Sequence, residues 1–354
     1  MRAFVHDQPV LRVVFGDGRL ADLPAEADRL GLKRLLVLST PEQKDAGEAA
    51  LKLLGGRAAG LFTEARMHVP VDTAEEARAE ARRLNADGTV AIGGGTTTGL
   101  AKAIALALDL PAIAVPTTYA GSEMTSIWGL TEGGVKTTGR AEKVRPKAVI
   151  YDPTLTYGMS PRLSATSGMN ALAHCVESLY ASDTTPIIQL YAAESIRAFA
   201  RSLPVILKEP ANAAARSEAH YASWLAGIAL DRTVMGLHHK LCHTLGGSFD
   251  LPHAEVHTVI LPHATAYNRA AAPEAMRAIA AALGAEDAAQ GLYDLAKKLG
   301  APVALKDIGM KEDRLDEAAA LATKTPYPNP RPVERAPLRQ LLEDAYRGKR
   351  PSAT

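Results

Sequence analysis

The chain has 354 residues, more than the roughly 250–300 at which a single hydrophobic core stops growing, so two domains are expected. It is 47% hydrophobic and 22% charged, with 40 basic residues against 39 acidic ones and a formal net charge of +1. That composition excludes a disordered, collagenous or disulfide-built chain, and the near-neutral balance offers no surface for nucleic acid. No apolar run reaches the roughly 18 residues that a membrane span needs. The first ten residues carry an early Asp7 and no apolar core, unlike a signal peptide. Cys175 and Cys242 read as free thiols in a reducing compartment. A soluble, cytoplasmic enzyme is expected.

From about residue 33 to 150, short apolar runs alternate with helical patterns. Strands are expected at 34–39, 58–63, 89–92, 112–115 and 147–151, with helices at 42–54, 73–84 and 97–108 between them. Strands separated by helices imply crossover connections and a mainly parallel sheet. Gly129, Gly133 and Gly134 among Trp128, Leu130 and Val135 indicate a hairpin insertion at 124–138. After Asp152-Pro153 the texture changes: residues 161–345 are Ala/Leu-rich and helical, punctuated by Pro204, Pro210, Pro252 and Pro262. The expected architecture is an α/β nucleotide-binding domain at 1–157 and an all-α domain at 158–354. The tail Arg347–Thr354 reads as frayed.

The run Ala91-Ile92-Gly93-Gly94-Gly95-Thr96-Thr97-Thr98-Gly99-Leu100 follows a strand and opens a helix. Consecutive glycines let backbone approach a ligand, and a helix N-terminus offers unpaired N–H groups to phosphate. Thr96 and Thr97 add hydroxyls. The run is neither a GxGxxG fingerprint nor a Walker A loop, and a plain capped strand–helix turn is the bland alternative. A second loop, Pro116–Glu123, follows the next strand at its carboxyl end, where ligands of open α/β sheets bind. Gly94, Gly95, Thr117, Thr118 and Ser122 join the two threonines as cofactor candidates. Two such loops argue for one dinucleotide. Ser39 and Thr40 close an earlier strand without charge where an acidic residue would repel a 2′-phosphate, so NADH and NADPH both remain open.

Ten histidines are present. Asn170 and His174 stand four apart, as do His239 and His243, and His253 follows at an expected helix start. Imidazoles converging from separate helices suit metal ligation or proton transfer. His238, His257 and His263 fit less well and read as packing residues.

Read together, these stretches resemble the iron-containing, group III alcohol dehydrogenase superfamily. The likeness spans nearly the whole chain: the Gly93–Thr97 loop, Pro116–Glu123, His239/His243, His253 and Asn329-Pro330-Arg331. Within the superfamily it is strongest to the maleylacetate reductases, carried by Met67–Val71, Pro116–Thr125, Trp128–Gly139, Leu163–Asn170 and Gly236–Gly246. The resemblance implies a dehydroquinate synthase-like fold, an active site in a cleft between two domains, and a homodimer. It also places a nucleotide-contacting lysine at Lys136. Metal-dependent members carry an Asp where this chain has Asn170, with three histidines that match His174, His239 and His253. Losing that anionic ligand implies no tightly bound metal.

The implied reaction is NAD(P)H-dependent reduction of the conjugated C=C bond of maleylacetate to 3-oxoadipate, in breakdown of aromatic compounds by a hydroxyquinol, resorcinol or chloroaromatic route. His243 is the expected proton donor, with His174, His239 and His253 lining the pocket. Tyr119, Asn170, Lys240 and Arg331 are the substrate-side candidates, the two cations facing a dicarboxylate; Arg331 also has a purely structural reading. The alternatives are a metal-dependent NAD(P)-linked alcohol or glycerol dehydrogenase of the same fold, and a dehydroquinate synthase-like lyase.

Overall fold

The computed structural model describes residues 11–133 and 135–352. The first ten residues, on which the N-terminal reading rests, lie outside them. The chain divides after Gly158 into two compact units.

The N-terminal unit alternates strand and helix from its start: β1 (Arg12–Phe15), α1 (Leu23–Arg29), β2 (Leu35–Leu38), α2 (Lys44–Leu54), β3 (Ala58–Phe62), α3 (Val71–Arg83), β4 (Gly88–Gly93), α4 (Gly95–Leu108) and β5 (Ala112–Pro116). The hairpin β6 (Ile127–Glu132) and β7 (Val135–Arg140) follows, and β8 (Ala148–Tyr151) closes the unit. Six strands form one sheet in the order β1-β8-β5-β4-β2-β3, every pair parallel. β2, β4, β5 and β8 are buried on both faces, which is why they read as unbroken Val/Ile/Leu/Ala runs. The alternation begins before residue 33: β1 and α1 were not expected. Their apolar content is short and flanked by charge, and the edge strand β1 has a single buried residue, Val14.

The chain runs outward from β2 to β3, then crosses back to β4 on the other side of β2. That reversal makes a topological switch point, and the carboxyl ends of strands at such a point are where α/β sheets bind ligands. Gly93 is in register with Pro116, so the loops after β4 and β5 start side by side. Before α3, His68 and Val69 both adopt left-handed backbone (φ 64° and 49°). The Thr131 hydroxyl donates to the His68 carbonyl, and the Thr131 N–H to that of Val69, pinning this turn to the hairpin.

The second unit is helical: α5 (Pro161–Tyr180), α6 (Pro186–Lys208), α7 (Ala213–Arg232), α8 (Leu237–Phe249), α9 (His253–Asn268), α10 (Pro273–Leu283), α11 (Ala288–Lys298), α12 (Leu315–Thr323) and α13 (Arg335–Arg347). Two of the four prolines expected to punctuate helices lie inside them, Pro204 in α6 and Pro262 in α9. An internal proline removes one N–H donor, but both helices are long and packed, so burial outweighs one lost bond. Side chains cap the helices Ser160, Thr185, Asn212 and Asp287 begin. Gly168 lets α5 approach α6, since a Cβ there would lie 2.6 Å from Leu203. The tail is not frayed as far as Ser352: Gln290 donates to the Pro351 carbonyl, Arg269 to that of Ser352 and the Tyr293 hydroxyl to that of Gly348. Among the described residues no helix is long and apolar enough to cross a membrane.

Candidate active site

In the N-terminal unit the glycine loop is shaped by close approach. Gly94 caps α4, and Gly93 holds φ 154°, a region costly for residues with a Cβ. A Cβ on Gly93 would collide with the Thr97 hydroxyl, and one on Gly94 would stand 3.0 Å from Thr118 Oγ1. The first turn of a helix leaves N–H groups without carbonyl partners. Here those of Gly95, Thr96 and Thr97 start a helix beside Ser122, whose Oγ is buried and lacks a hydrogen-bond partner. Free N–H donors, a small-residue cradle and an orphaned hydroxyl are a chemical fit for a dinucleotide pyrophosphate.

Not every expected cofactor residue faces that cradle. Gly94, Gly95, Thr96, Thr118 and Ser122 are partly open, whereas Thr97 and Thr117 are buried. Thr117 Oγ1 accepts from Gln43 Nε2 at 2.6 Å, a residue the sequence reading missed. Ser39 needs correction: its side chain is fully buried against the position where a Gly47 Cβ would sit, so Thr40 is the partly open residue at that strand end. Tyr119, expected on the substrate side, is also fully buried, as a wide aromatic following an apolar strand tends to be. Lys136 lies opposite Thr131 on the hairpin, and burial lowers its ammonium pKa from the ordinary value. Unforeseen too is Lys102, buried on α4: its ammonium donates to the Ser122 and Ile127 carbonyls and to Thr125 Oγ1, clamping the second loop.

In the helical unit, three helices bring six histidines together. α5 supplies Asn170 and His174, α8 supplies His238, His239 and His243, and α9 supplies His253 and His257. Ring centroids of His174 and His239 lie 5.0 Å apart, His239 and His243 6.2 Å, His239 and His257 5.0 Å, and His253 and His257 4.4 Å. His243 is exposed and His253 partly so, while His174, His238, His239 and His257 are buried behind them.

Glu177, one turn beyond His174, organises this cluster and was missed by the sequence reading. Its carboxylate accepts the backbone N–H groups of Gly236, His238 and His239 at the start of α8. It also accepts the His239 Nδ1 proton at 2.6 Å. That fixes the tautomer of His239, so its Nε2 accepts from His174 Nδ1 at 2.8 Å. Gly236 is obligatory at the junction, because a Cβ would lie 2.8 Å from the Pro328 carbonyl and 3.3 Å from Glu177. The only signal of Glu177 in the sequence is its spacing on the face of Asn170 and His174.

His238 and His257, read as packing residues, belong to the cluster. Burial, and secondarily the neighbouring histidines, hold both imidazoles well below the ordinary pKa. Their helical spacings were legible, since His253 and His257 are four apart. His263 stands elsewhere, lowered to about 4 by burial. Asn170 is buried, with Oδ1 lacking a partner. Lys240 is partly open, its Nζ 5.9 Å from the centre of the Tyr327 ring. The Arg331 guanidinium stacks 4.1 Å over Tyr267 and donates to its carbonyl, which ties the 329–331 segment to α9. Asn329 accepts from the Leu237 N–H and pairs with Asn268.

Residues 10–153 match the iron-containing alcohol dehydrogenase family, and residues 164–346 match the C-terminal part of the Fe-containing alcohol dehydrogenase family. A maleylacetate reductase of Burkholderia cepacia is 56% identical over 352 residues, which cover 99% of this chain and 100% of that protein. The crystal structure of the Agrobacterium tumefaciens maleylacetate reductase superposes with a TM-score of 0.96 at 50% identity, covering 99% of this chain and 100% of that one. The structure of its counterpart from Rhizobium sp. strain MTP-10005 does so at 0.95 and 50%, with the same coverage.

Proposed function

The chain belongs to the iron-containing alcohol dehydrogenase family, and from that premise we infer that it acts as a maleylacetate reductase, saturating the conjugated C=C bond of maleylacetate to give 3-oxoadipate. The observation that carries the reading is the histidine cluster with an uncharged Asn170 in the place of an acidic ligand.

A bound NADH or NADPH supplies a hydride to the alkene carbon β to the ketone. The cradle of Gly94, Gly95, Thr96, Thr118 and Ser122 would hold its pyrophosphate, with Lys136 as a further anion partner. Hydride addition leaves charge on the ketone oxygen, and hydrogen-bond donors aimed at that oxygen stabilise it. His253 serves that purpose, with the His174–His239 pair, oriented by Glu177, as the buried wall beside it. The carbon next to the ketone must then take a proton, for which the exposed His243 is the available acid. Lys240 offers a cation to a substrate carboxylate; Arg331 is already engaged with Tyr267 and serves the fold.

The donor set does not fit a resident iron ion. Asn170 brings an amide oxygen in place of a carboxylate. We therefore derive no step through a metal. The family resemblance supports a homodimer, which light scattering at twice 37.4 kDa checks, and the free thiols Cys175 and Cys242 support a reducing, cytoplasmic setting.

The test is oxidation of NADH or NADPH by maleylacetate, with 3-oxoadipate identified as product, before and after prolonged chelation. Turnover that survives chelation is expected. Turnover lost in chelator and restored by one equivalent of iron or zinc overturns the metal-free reading, and absence of any maleylacetate-dependent oxidation overturns the reaction.

A further inference from the structure

Three buried groups in the helical unit are unused by the reaction: His238 and Cys242, one turn apart on α8, and His257 on α9. They are 0%, 1% and 0% exposed. His238 Nε2 lies 2.9 Å from His257 Nδ1, and Cys242 Sγ lies 3.6 Å from His238 Nε2. The three donor atoms all fall within 4.8 Å of one another. On one side the trio borders the apolar core of Leu241, Leu245, Val256 and Ile260, and on the other the rings of His174, His239 and His253. The outer nitrogens, His238 Nδ1 and His257 Nε2, are buried without hydrogen-bond partners. Each outer nitrogen is therefore open to take up the ring proton, which leaves the inner nitrogens that face Cys242 as the donor atoms.

We propose that His238, Cys242 and His257 form a binding site for a soft d10 cation, Zn2+ or Cu+. Two imidazoles and a thiolate suit soft cations and disfavour Mg2+ or Ca2+, which want oxygen ligands. The separations are close to those between donors sharing one ion at about 2.0–2.3 Å from each. One inner nitrogen carries a proton in the His238–His257 hydrogen bond; that ring shifts it to its own vacant outer nitrogen, leaving two inner lone pairs for the ion. The Cys242 thiol loses its proton to solvent as the sulfur–metal bond forms. Nothing is oxidised or reduced. The site differs from the one that the family resemblance places on Asn170, His174, His239 and His253, and shares no ligand with it. It rests on residues the proposed reaction does not use.

The whole chain, reduced and stripped with chelator, is titrated with Zn2+ against a chromophoric chelator and, without oxygen, with Cu+. Co2+ serves as a spectroscopic probe. We expect one equivalent per chain and a near-ultraviolet thiolate-to-cobalt band. Cys242→Ala should abolish that band, and Cys242→Ala and His257→Gln should each weaken binding at least about tenfold, the lower end of what even outer-shell losses cost. Unfolding of a variant is checked by circular dichroism, and the wild-type cobalt band stands without any variant. Failure to bind a stoichiometric ion, a cobalt spectrum without thiolate character, or binding lost in His174→Gln and His253→Gln but retained in Cys242→Ala would each overturn the assignment. Survival of maleylacetate reduction in either case leaves the proposed function untouched, so the two readings fail separately.

Discussion

The glycine loop and the histidine cluster are built by opposite means. The loop is made by subtraction: side chains are absent at 93–95, which leaves the backbone N–H groups of the helix start uncovered, and the neighbours are small hydroxyls. The cluster works by addition, crowding six imidazoles, an amide and a carboxylate between three helices. Loss of function should therefore come from adding atoms in the first region and from deleting them in the second.

The largest effect expected is at His243. Replacement by alanine should lower turnover about 10²–10⁴-fold, the usual worth of a general acid, while cofactor affinity, measured by fluorescence titration, stays put. The basic limb of the turnover–pH profile should flatten, because the protonated imidazole is the form lost as pH rises. Near-normal turnover would move the acid role to the His174–His239 pair.

The loop is tested by the reverse operation. Gly93→Ala adds one carbon into Thr97 at a backbone angle that side chains avoid. It should cost about 1–3 kcal/mol of stability and weaken cofactor binding, both readable by thermal melts with and without NADH. An unchanged melting curve would mean that the loop relaxes freely. The cluster has its own stability signature. His238 and His257 are neutral in the folded chain but charge near their ordinary value of about 6.5 when unfolded. The unfolded state then binds more protons, so stability should fall as pH drops below about 6.5. His263, at about 4, adds to the same window. A melting temperature flat between pH 7 and 5 would count against buried neutral imidazoles.

Smaller effects sharpen the comparison. Thr40→Asp should raise the KM for NADPH more than for NADH through repulsion of the 2′-phosphate. Ser39→Asp should instead destabilise the fold for both, since that side chain has no route to solvent. Asn170→Asp should increase affinity for zinc or iron in a chelator competition; an unchanged affinity would show that the missing charge at this position is not what disfavours metal.

Much of the first region was legible because glycines and buried strands advertise themselves locally. The alternation of apolar runs placed β2 to β5 and β8, and GGGTTT marked the glycine loop between β4 and α4. What local pattern misses is direction: Ser39, Thr117 and Tyr119 sit at the right strand ends but turn inward. In the helical unit, four-residue spacings exposed His174, His239 and His243. Cys242 and His257 follow His238 and His253 by four and Glu177 follows His174 by three, yet the contacts that join these residues into one cluster cross between helices, and only packing reveals them. The edge strand β1 and the internal prolines went unread for the same reason, since tertiary burial outweighs a weak or contrary local signal.

Glu177 ties the beginning of α8 and the orientation of His239 to one carboxylate. A helix cap is commonly exchangeable, because neighbouring groups or water replace it at small cost. Here the exchange would also turn an imidazole. Libraries of random substitutions should consequently contain an excess of folded but inactive molecules at Glu177, Gly236 and Asn329, and this junction should tolerate change less than its distance from solvent alone would lead one to expect.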